Sequence, residues 1–420
     1  LTEKTTILDK SCLEVLEKVP LDFAHYQKNL VDWCNHNTGS RNYSSVASFL
    51  PRLENAFAQL GAVITHLPLQ KERVVLANGE IKEIDLGHSL HVKMRPNAPI
   101  QLVLTGHYDT VFGADSHFQN VTDLGDENIY GPGVADMKGG ILIMLEGLKA
   151  FESHPDKNNI GYEVLLSPDE EIGSLGSAHI LHEIGKKSDL GLTFEPALPD
   201  GSMAGARKGS ANFALIIHGV SAHVGRAHHE GKSAIKAAAQ FVCEIENING
   251  KYDGITINTG KIDGGSANNV VPDLAIVRFN VRAPSQEKMD FAIEQIKGAI
   301  KNLKDFHCHL EGGVSRPPKP RNRAQERIFT DIGNVARDLG MELQFKDTGG
   351  VCEGNNLFAS GCPNIDTLGV CGGLIHSPQE YAIKKSFGKR ARLLAAILCS
   401  YANGTIDAKA PRKLMGENKC

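Results

Sequence analysis

The chain has 420 residues, with 45 Lys and Arg against 49 Asp and Glu, a formal net charge of −4 and 41% hydrophobic residues. That length exceeds what one hydrophobic core usually serves, so two domains are expected. The near-neutral balance leaves no basic footprint for nucleic acid and no polybasic patch for a membrane surface, and the longest apolar runs fall well short of the roughly 20 residues a membrane span needs.

The N-terminal half alternates helical and strand-like stretches, the pattern of an α/β protein. Helices are expected near 20–36 and 42–60, and strands near 62–66, 72–75 and 88–94. The run LVLT at 102–105 reads as a buried parallel strand. After Asp136, the segment MKGGILIMLEGLKAFES has apolar residues at helical spacing, with Asp136 where an N-cap belongs. Strands at 163–167 and 190–194 follow, separated by another helix. Residues 208–317 then read strand, helix, strand, strand, helix, strand, the βαββαβ order of a ferredoxin-like unit. Long helices and one apolar strand, NIDTLGV, fill about 321–404. The predicted architecture is therefore an α/β catalytic domain, a mixed sheet flanked by helices, from 1–207 and 318–420. The ferredoxin-like domain, 208–317, is inserted in it as a lid. The end of the chain, KAPRKLMGENKC, is expected to be a mobile tail.

Nine cysteines are scattered singly with no C-x-x-C pair, which suits thiols of a reducing compartment better than a disulfide framework. No charged-then-apolar leader is visible, so a cytoplasmic location is expected, although the chain begins at Leu1 and a removed leader stays open.

Five stretches place a lone His, Asp or Glu just past an apolar run or at a helix start: His107, Asp136, Glu171, Glu195 and His376. Ligands of open α/β sheets collect at the carboxyl ends of the strands, where loops aim side chains into one crevice. Two imidazoles and three carboxylates, shared through a bridging Asp136, give each of two zinc ions three protein ligands. Asp109 can accept the second ring N–H of His107, and Glu170, beside the ligand Glu171, can serve as general base. Taken singly, each of these residues is more often a cap or a surface group. Asp169 reads as a solvated turn residue, His228, His229, His307 and His309 as solvated histidines, and Cys352 lacks a partner base. The Gly-rich stretches do not carry the phosphate-loop pattern.

The motifs G-H-x-D-T-V (106–111), G-x-x-D-M-K-G-G (133–140), D-E-E-x-G-S (169–174), E-P (195–196) and S-A-H-x-G (221–225) resemble those of the zinc aminoacylase, carboxypeptidase and dipeptidase family. The nearest branch is that of glutamate carboxypeptidases (carboxypeptidase G2-like). The resemblance runs in matching order over roughly 100–380. It implies two zinc ions per subunit, one on His107 and Glu195 and the other on Glu171 and His376, with Asp136 bridging, Glu170 as base and Asp109 orienting His107. It further implies that His223 reaches the active site of a partner subunit and that Asn269 and Arg282, with Arg316 a weaker candidate, bind the substrate carboxylate. Two departures stand out: Phe112 replaces a customary Pro, and Cys352-Glu353 replaces Ser or Thr followed by Asp in a loop near the substrate. The expected activity is zinc-dependent cleavage of the amide bond to a C-terminal amino acid of a small peptide or N-acyl amino acid. The expected assembly is a homodimer through the inserted domain. An N-acyl amino acid deacylase or dipeptidase is the alternative, and a catalytically silent binding protein a remoter one.

Overall fold

The computed structural model describes residues 7–417. Its platform is a six-stranded mixed sheet, in the order Val63–Pro68, His88–Met94, Ile160–Ser167, Ile100–His107, Leu190–Thr193 and Asn364–Ile365. The last four are parallel, and the first two run antiparallel to their neighbours. Strands covered on both faces need apolar side chains throughout, and Leu102, Val103 and Leu104 are indeed almost fully buried. From Ile100–His107 the chain passes to Ile160–Ser167 on one side, then crosses to Leu190–Thr193 on the other. The order reverses at this central strand, so the loops at its carboxyl end part to form a crevice.

Helix Lys138–Phe151 is apolar nearly all round and buried except at Lys149, because it lies between the sheet and helix Ser386–Ala402. Each fully buried Leu or Ile there contributes about 1.5–3 kcal/mol relative to exposure. The two helices touch closely at Gly147, where a Cβ would stand 2.7 Å from Leu394 Cδ2. Through strand Asn364–Ile365 and this helix the C-terminal segment is part of the first unit. The expected mobile tail is corrected over Ala410–Glu417, which is helical and tied by Arg412 to the carbonyls of Gly185, Lys186 and Ser188, while 418–420 lie outside the described residues. The eight cysteines among the described residues are free thiols, and Cys420 lies outside them. No helix among the described residues is long and apolar enough to cross a membrane.

Residues 209–316 form a second, antiparallel sheet in the order Thr256–Gly264, Leu274–Ala283, Gly209–His218, His307–Arg316. Helices Ala234–Glu246 and Gln286–Lys301 pack on one face around a core of its own that includes Leu215, Phe241, Val277, Phe279 and Ile296. Ser233 and Ser285 cap these helices by accepting the backbone N–H of Lys236 and Lys288. The opposite face is covered in part by a hairpin of the first unit, Glu72–Val75 with Ile81–Ile84. Val75 packs there on Ile216 and Ile276, Arg278 donates to the Val75 carbonyl at 2.7 Å, and Arg73 meets Glu311 at 2.8 Å. The second hairpin strand and its docking were missed from sequence, because IKEI alternates too briefly to read.

The two chain crossings between the units are joined to each other. Arg207 and Lys319 exchange backbone hydrogen bonds of 2.9 and 3.0 Å, and both side chains grip buried Asp366 at 2.8 Å.

Candidate metal centre and active-site cleft

His107 ends its strand directly opposite Ser167, which ends the adjacent one, so His107 and the 168–171 loop emerge side by side. Glu195 follows Thr193 on the other flank by two residues. Asp136 is brought to them by the start of helix Lys138–Phe151. A Cβ at Gly140 would stand 2.2 Å from the Phe194 carbonyl oxygen, so only glycine lets the helix press against that strand end. The Asp136–Met137 peptide is cis. Asp136 is not the N-cap expected from sequence: Met137 holds that position, without a side-chain cap, and the Asp136 carboxylate faces two imidazoles instead.

His107 Nε2 lies 3.2 Å from Asp136 Oδ1 and 3.8 Å from Glu195 Oε1. His376 Nε2 lies 3.3 Å from Asp136 Oδ2 and 3.2 Å from Glu171 Oε2. The structure thus gathers all five predicted ligand residues around Asp136, whose two oxygens each face one imidazole. Ligand atoms of His107, Asp136 and Glu171 lie within 4.8 Å of one another, as do those of His107, Glu170 and Glu195. Asp109 is the hub behind them. It meets His107 Nδ1 through its carboxylate at 3.2 Å and its carbonyl at 3.0 Å, and accepts the N–H groups of Glu170 and Glu171 and the Ser40 hydroxyl.

Electrostatics explain what such a cluster can hold. Burial alone would lower the pKa of His107, but Asp109, Asp136 and Glu195 raise it well above the ordinary value. Asp136 and Glu171 lift His376 to about 11. Burial and the charge of Asp136 push Glu171 up to about 8. Glu195 rises to about 7, chiefly through burial. Carboxylates crowded out of water need positive charge, and Glu195 Oε1 is buried without a hydrogen-bond partner. Two imidazoles and three carboxylates are oxygen and nitrogen donors, so the residues present fit a pair of divalent cations.

Several supporting residues were not found in the sequence. Glu380 accepts the N–H groups of Gly133, Ala135 and Asp136 at 3.0–3.2 Å and so shapes the loop carrying Asp136. Its only signal was an acid four residues after His376. Burial and Asp136 raise it to about 7. Buried Lys138 donates to the carbonyls of Trp33 and His36 from the other side. Asp169 is a correction: it is fully buried, accepting the N–H groups of Gly176 and Ser177 at 2.7 and 3.0 Å, and it folds the loop that presents Glu170 and Glu171.

A cavity of about 960 Å³ opens over the cluster, bounded by Glu170, Glu171, Glu195 and His376 below and by lid residues Ser210, Asn212, Arg282, Ser315 and Arg316 above. Arg316 is 1% exposed. It ion-pairs with Glu170 Oε1 and donates to Asn356 Oδ1 at 2.6 Å, so its guanidinium holds the expected base. Arg282 donates through Nε to Asn280 at 2.8 Å, while its buried Nη1 has no partner. His223 and Asn269 are exposed and lie outside the cavity wall. They sit together, linked by the Val224 N–H to the Asn269 carbonyl, past the far end of strand Gly209–His218. That strand carries them away from Ser210 by roughly 3.3 Å per residue. His228, His229, His307 and His309 are exposed. The two departures have local partners: Phe112 packs edge-on against Phe118, and the Cys352 thiol caps helix Glu353–Ala359 while buried Glu353 bonds Ser167.

Known proteins resemble this chain in sequence and in fold. Carboxypeptidase G2 of Pseudomonas sp. (strain RS-16) is 25% identical over 382 residues, spanning 90% of this chain and 89% of its own. Succinyl-diaminopimelate desuccinylase of Nitrosospira multiformis is 28% identical over 328 residues, 72% of this chain and 84% of its own. The fold matches the M20 metallo-carboxypeptidase Sso-CP2 of Sulfolobus solfataricus with a TM-score of 0.71 at 15% identity, covering 90% of this chain and 99% of that one. It also matches aminopeptidase PepT of Bacillus cereus with a TM-score of 0.68 at 21% identity, covering 91% and 99%. The model of peptidase family M20/M25/M40 matches residues 103–400, so the chain belongs to that family and is a hydrolytic enzyme of the metal-dependent peptidase type.

Proposed function

We propose that the enzyme uses two zinc ions to hydrolyse the amide bond joining an acyl or peptidyl group to a C-terminal amino acid. The observation that carries this reading is the cluster centred on Asp136, with Glu170 beside it and the unpartnered Nη1 of Arg282 above. His107, Glu195, Glu171 and His376 would hold the ions, and Asp136 would bridge them. Bound there, the ions supply polarisation of the scissile carbonyl and acidification of water. Glu170 takes the proton of the attacking water and passes it to the leaving nitrogen. Arg316 keeps the Glu170 carboxylate aimed, and Asp109 fixes the His107 tautomer. Arg282 receives the free carboxylate of the substrate, which a planar guanidinium matches well.

His223 and Asn269 enter this scheme from a second copy of the chain. Both are exposed, and the adjoining lid strand Thr256–Gly264 is a sheet edge with Ile262 49% exposed. An unpaired edge beside an apolar side chain is a natural dimer contact. N-acyl amino acid deacylation and dipeptide cleavage use the same chemistry. The relative named a succinyl-diaminopimelate desuccinylase keeps deacylation as the second reading.

The test is a panel of peptidyl and N-acyl amino acids, their C-terminal amides and free-amine dipeptides, with zinc and with chelator. Hydrolysis should require the free carboxylate and the metal. Equal cleavage of acids and amides, or cleavage of free-amine dipeptides alone, would remove the proposed reading.

A further inference from the structure

The catalytic cavity does not end at the lid. A second cavity, of about 600 Å³, lies between the hairpin of the first unit and the helix-free face of the lid sheet. The two cavities share Glu72, Leu175, Asn212 and Ser315 as walls, so they are adjoining rooms of one cleft.

The chemistry of the second room differs from that of the first. Its apolar walls include Val74, Val75, Leu175 and Ala214. Of the charged side chains lining it, Arg73 pairs with Glu311, Arg278 and Lys261 with Asp263, and Glu72 with Arg41, while exposed Lys71 forms no ion pair among the described residues. Apart from Lys71, such walls offer little to an ionised group and favour an uncharged, mostly apolar one. Part of the floor is glycine. A Cβ at Gly313 would meet nothing within 4 Å, and one at Gly260 nothing closer than 3.8 Å. Strand glycines weaken a sheet and recur where another group must come close to the backbone. Here they leave open a space that ordinary side chains would fill.

We propose that this second room binds the far end of the substrate's acyl group, and that the enzyme selects extended, uncharged acyl chains over short ones. The inference rests on the amide-hydrolase reading above, with the carboxylate held at Arg282 and the acyl part free to extend past Glu72 and Leu175.

The experiment compares N-acetyl, N-hexanoyl and N-dodecanoyl derivatives of one amino acid on the zinc-loaded enzyme and on Gly313→Trp, with Gly313→Ala as the control for folding. In the parent enzyme and Gly313→Ala, kcat/KM should rise by about tenfold or more from acetyl to dodecanoyl. In Gly313→Trp, whose indole would occupy the room, the long-to-short ratio should fall close to one. Calorimetric binding of the same compounds to Glu170→Gln gives the same comparison without turnover. A parent enzyme with no preference for length, or a ratio untouched by Gly313→Trp, overturns the inference. Absence of any hydrolysis would instead defeat the amide-hydrolase reading, and the calorimetric ratio would still decide the fate of the second room.

Discussion

The loops around Asp136 and the lid loop around His223 are built in opposite ways. In the first, His107 and Asp109 are wholly buried, Asp109 braces His107, Glu170 and Glu171, and Glu380 braces the loop of Asp136, while His376 alone of the five candidate ligands stands exposed. In the second, His223 and Asn269 are exposed and bonded only to near neighbours, His223 Nδ1 accepting the Gly225 N–H. Groups that must share ions tolerate errors of only about 0.5 Å and belong on rigid strand ends. A group that meets its substrate from another copy must lie on the surface. On the proposed reading, one chain would hold a complete ion site and an incomplete substrate site.

The sharpest way to break that contrast is at the base. Glu170→Gln should cut kcat by about 10³-fold while elemental analysis still finds two zinc ions per chain. Loss of metal along with activity would merge the base and ligand roles. The lid loop comes next. The family resemblance implies that His223 also helps stabilise the oxyanion of the attacked carbonyl, so His223→Ala should lower kcat by roughly 10²-fold. Mixing and re-equilibrating it with Glu170→Gln should then restore part of the activity, because each inactive protomer supplies what the other lacks. No recovery on mixing would mean that His223 serves its own chain or none. Asp109→Asn should cost about 10–100-fold in zinc affinity, read by competition with a chelator, since the hub behind His107 would lose a carboxylate.

The smallest effect tests the scaffold rather than the site. Burial favours protonation of Glu163, but hydrogen bonds from His91 and Lys93 on the neighbouring strand outweigh it and bring the carboxyl down to about 2. A carboxylate depressed on folding adds stability above its ordinary range near 4.5, and that stability is lost as pH falls through about 2. Glu163→Gln should therefore destabilise the protein by about 1 kcal/mol at neutral pH, with the difference fading toward pH 2 in urea titrations. A difference independent of pH would assign the loss to packing.

The sequence made the candidate ion site visible because each candidate ligand follows an apolar run or precedes a helix, and strand ends converge in an open sheet. The βαββαβ order of 208–317 was visible for a related reason: its strands and helices alternate apolar residues at periods of two and 3.6. What sequence concealed depends on partners distant along the chain. Asp169 and Glu380 look like ordinary loop acids until the N–H groups they accept are seen. Asp136 has the spacing of a cap, yet His107 and His376 claim its oxygens. The Ala410–Glu417 helix owes its anchoring to carbonyls more than 200 residues away, which no local pattern encodes.

The pairing of Arg207 with Lys319 has a mechanical consequence. The two crossings are zipped together and anchored on Asp366, and Asn355 of the first unit holds the Lys208 and Pro317 carbonyls just beyond, so both stay fixed up to the first residues of the second sheet. Arg316 stands at that border with its guanidinium on Glu170. A second unit that turned about this border would carry with it the cation that holds the expected base.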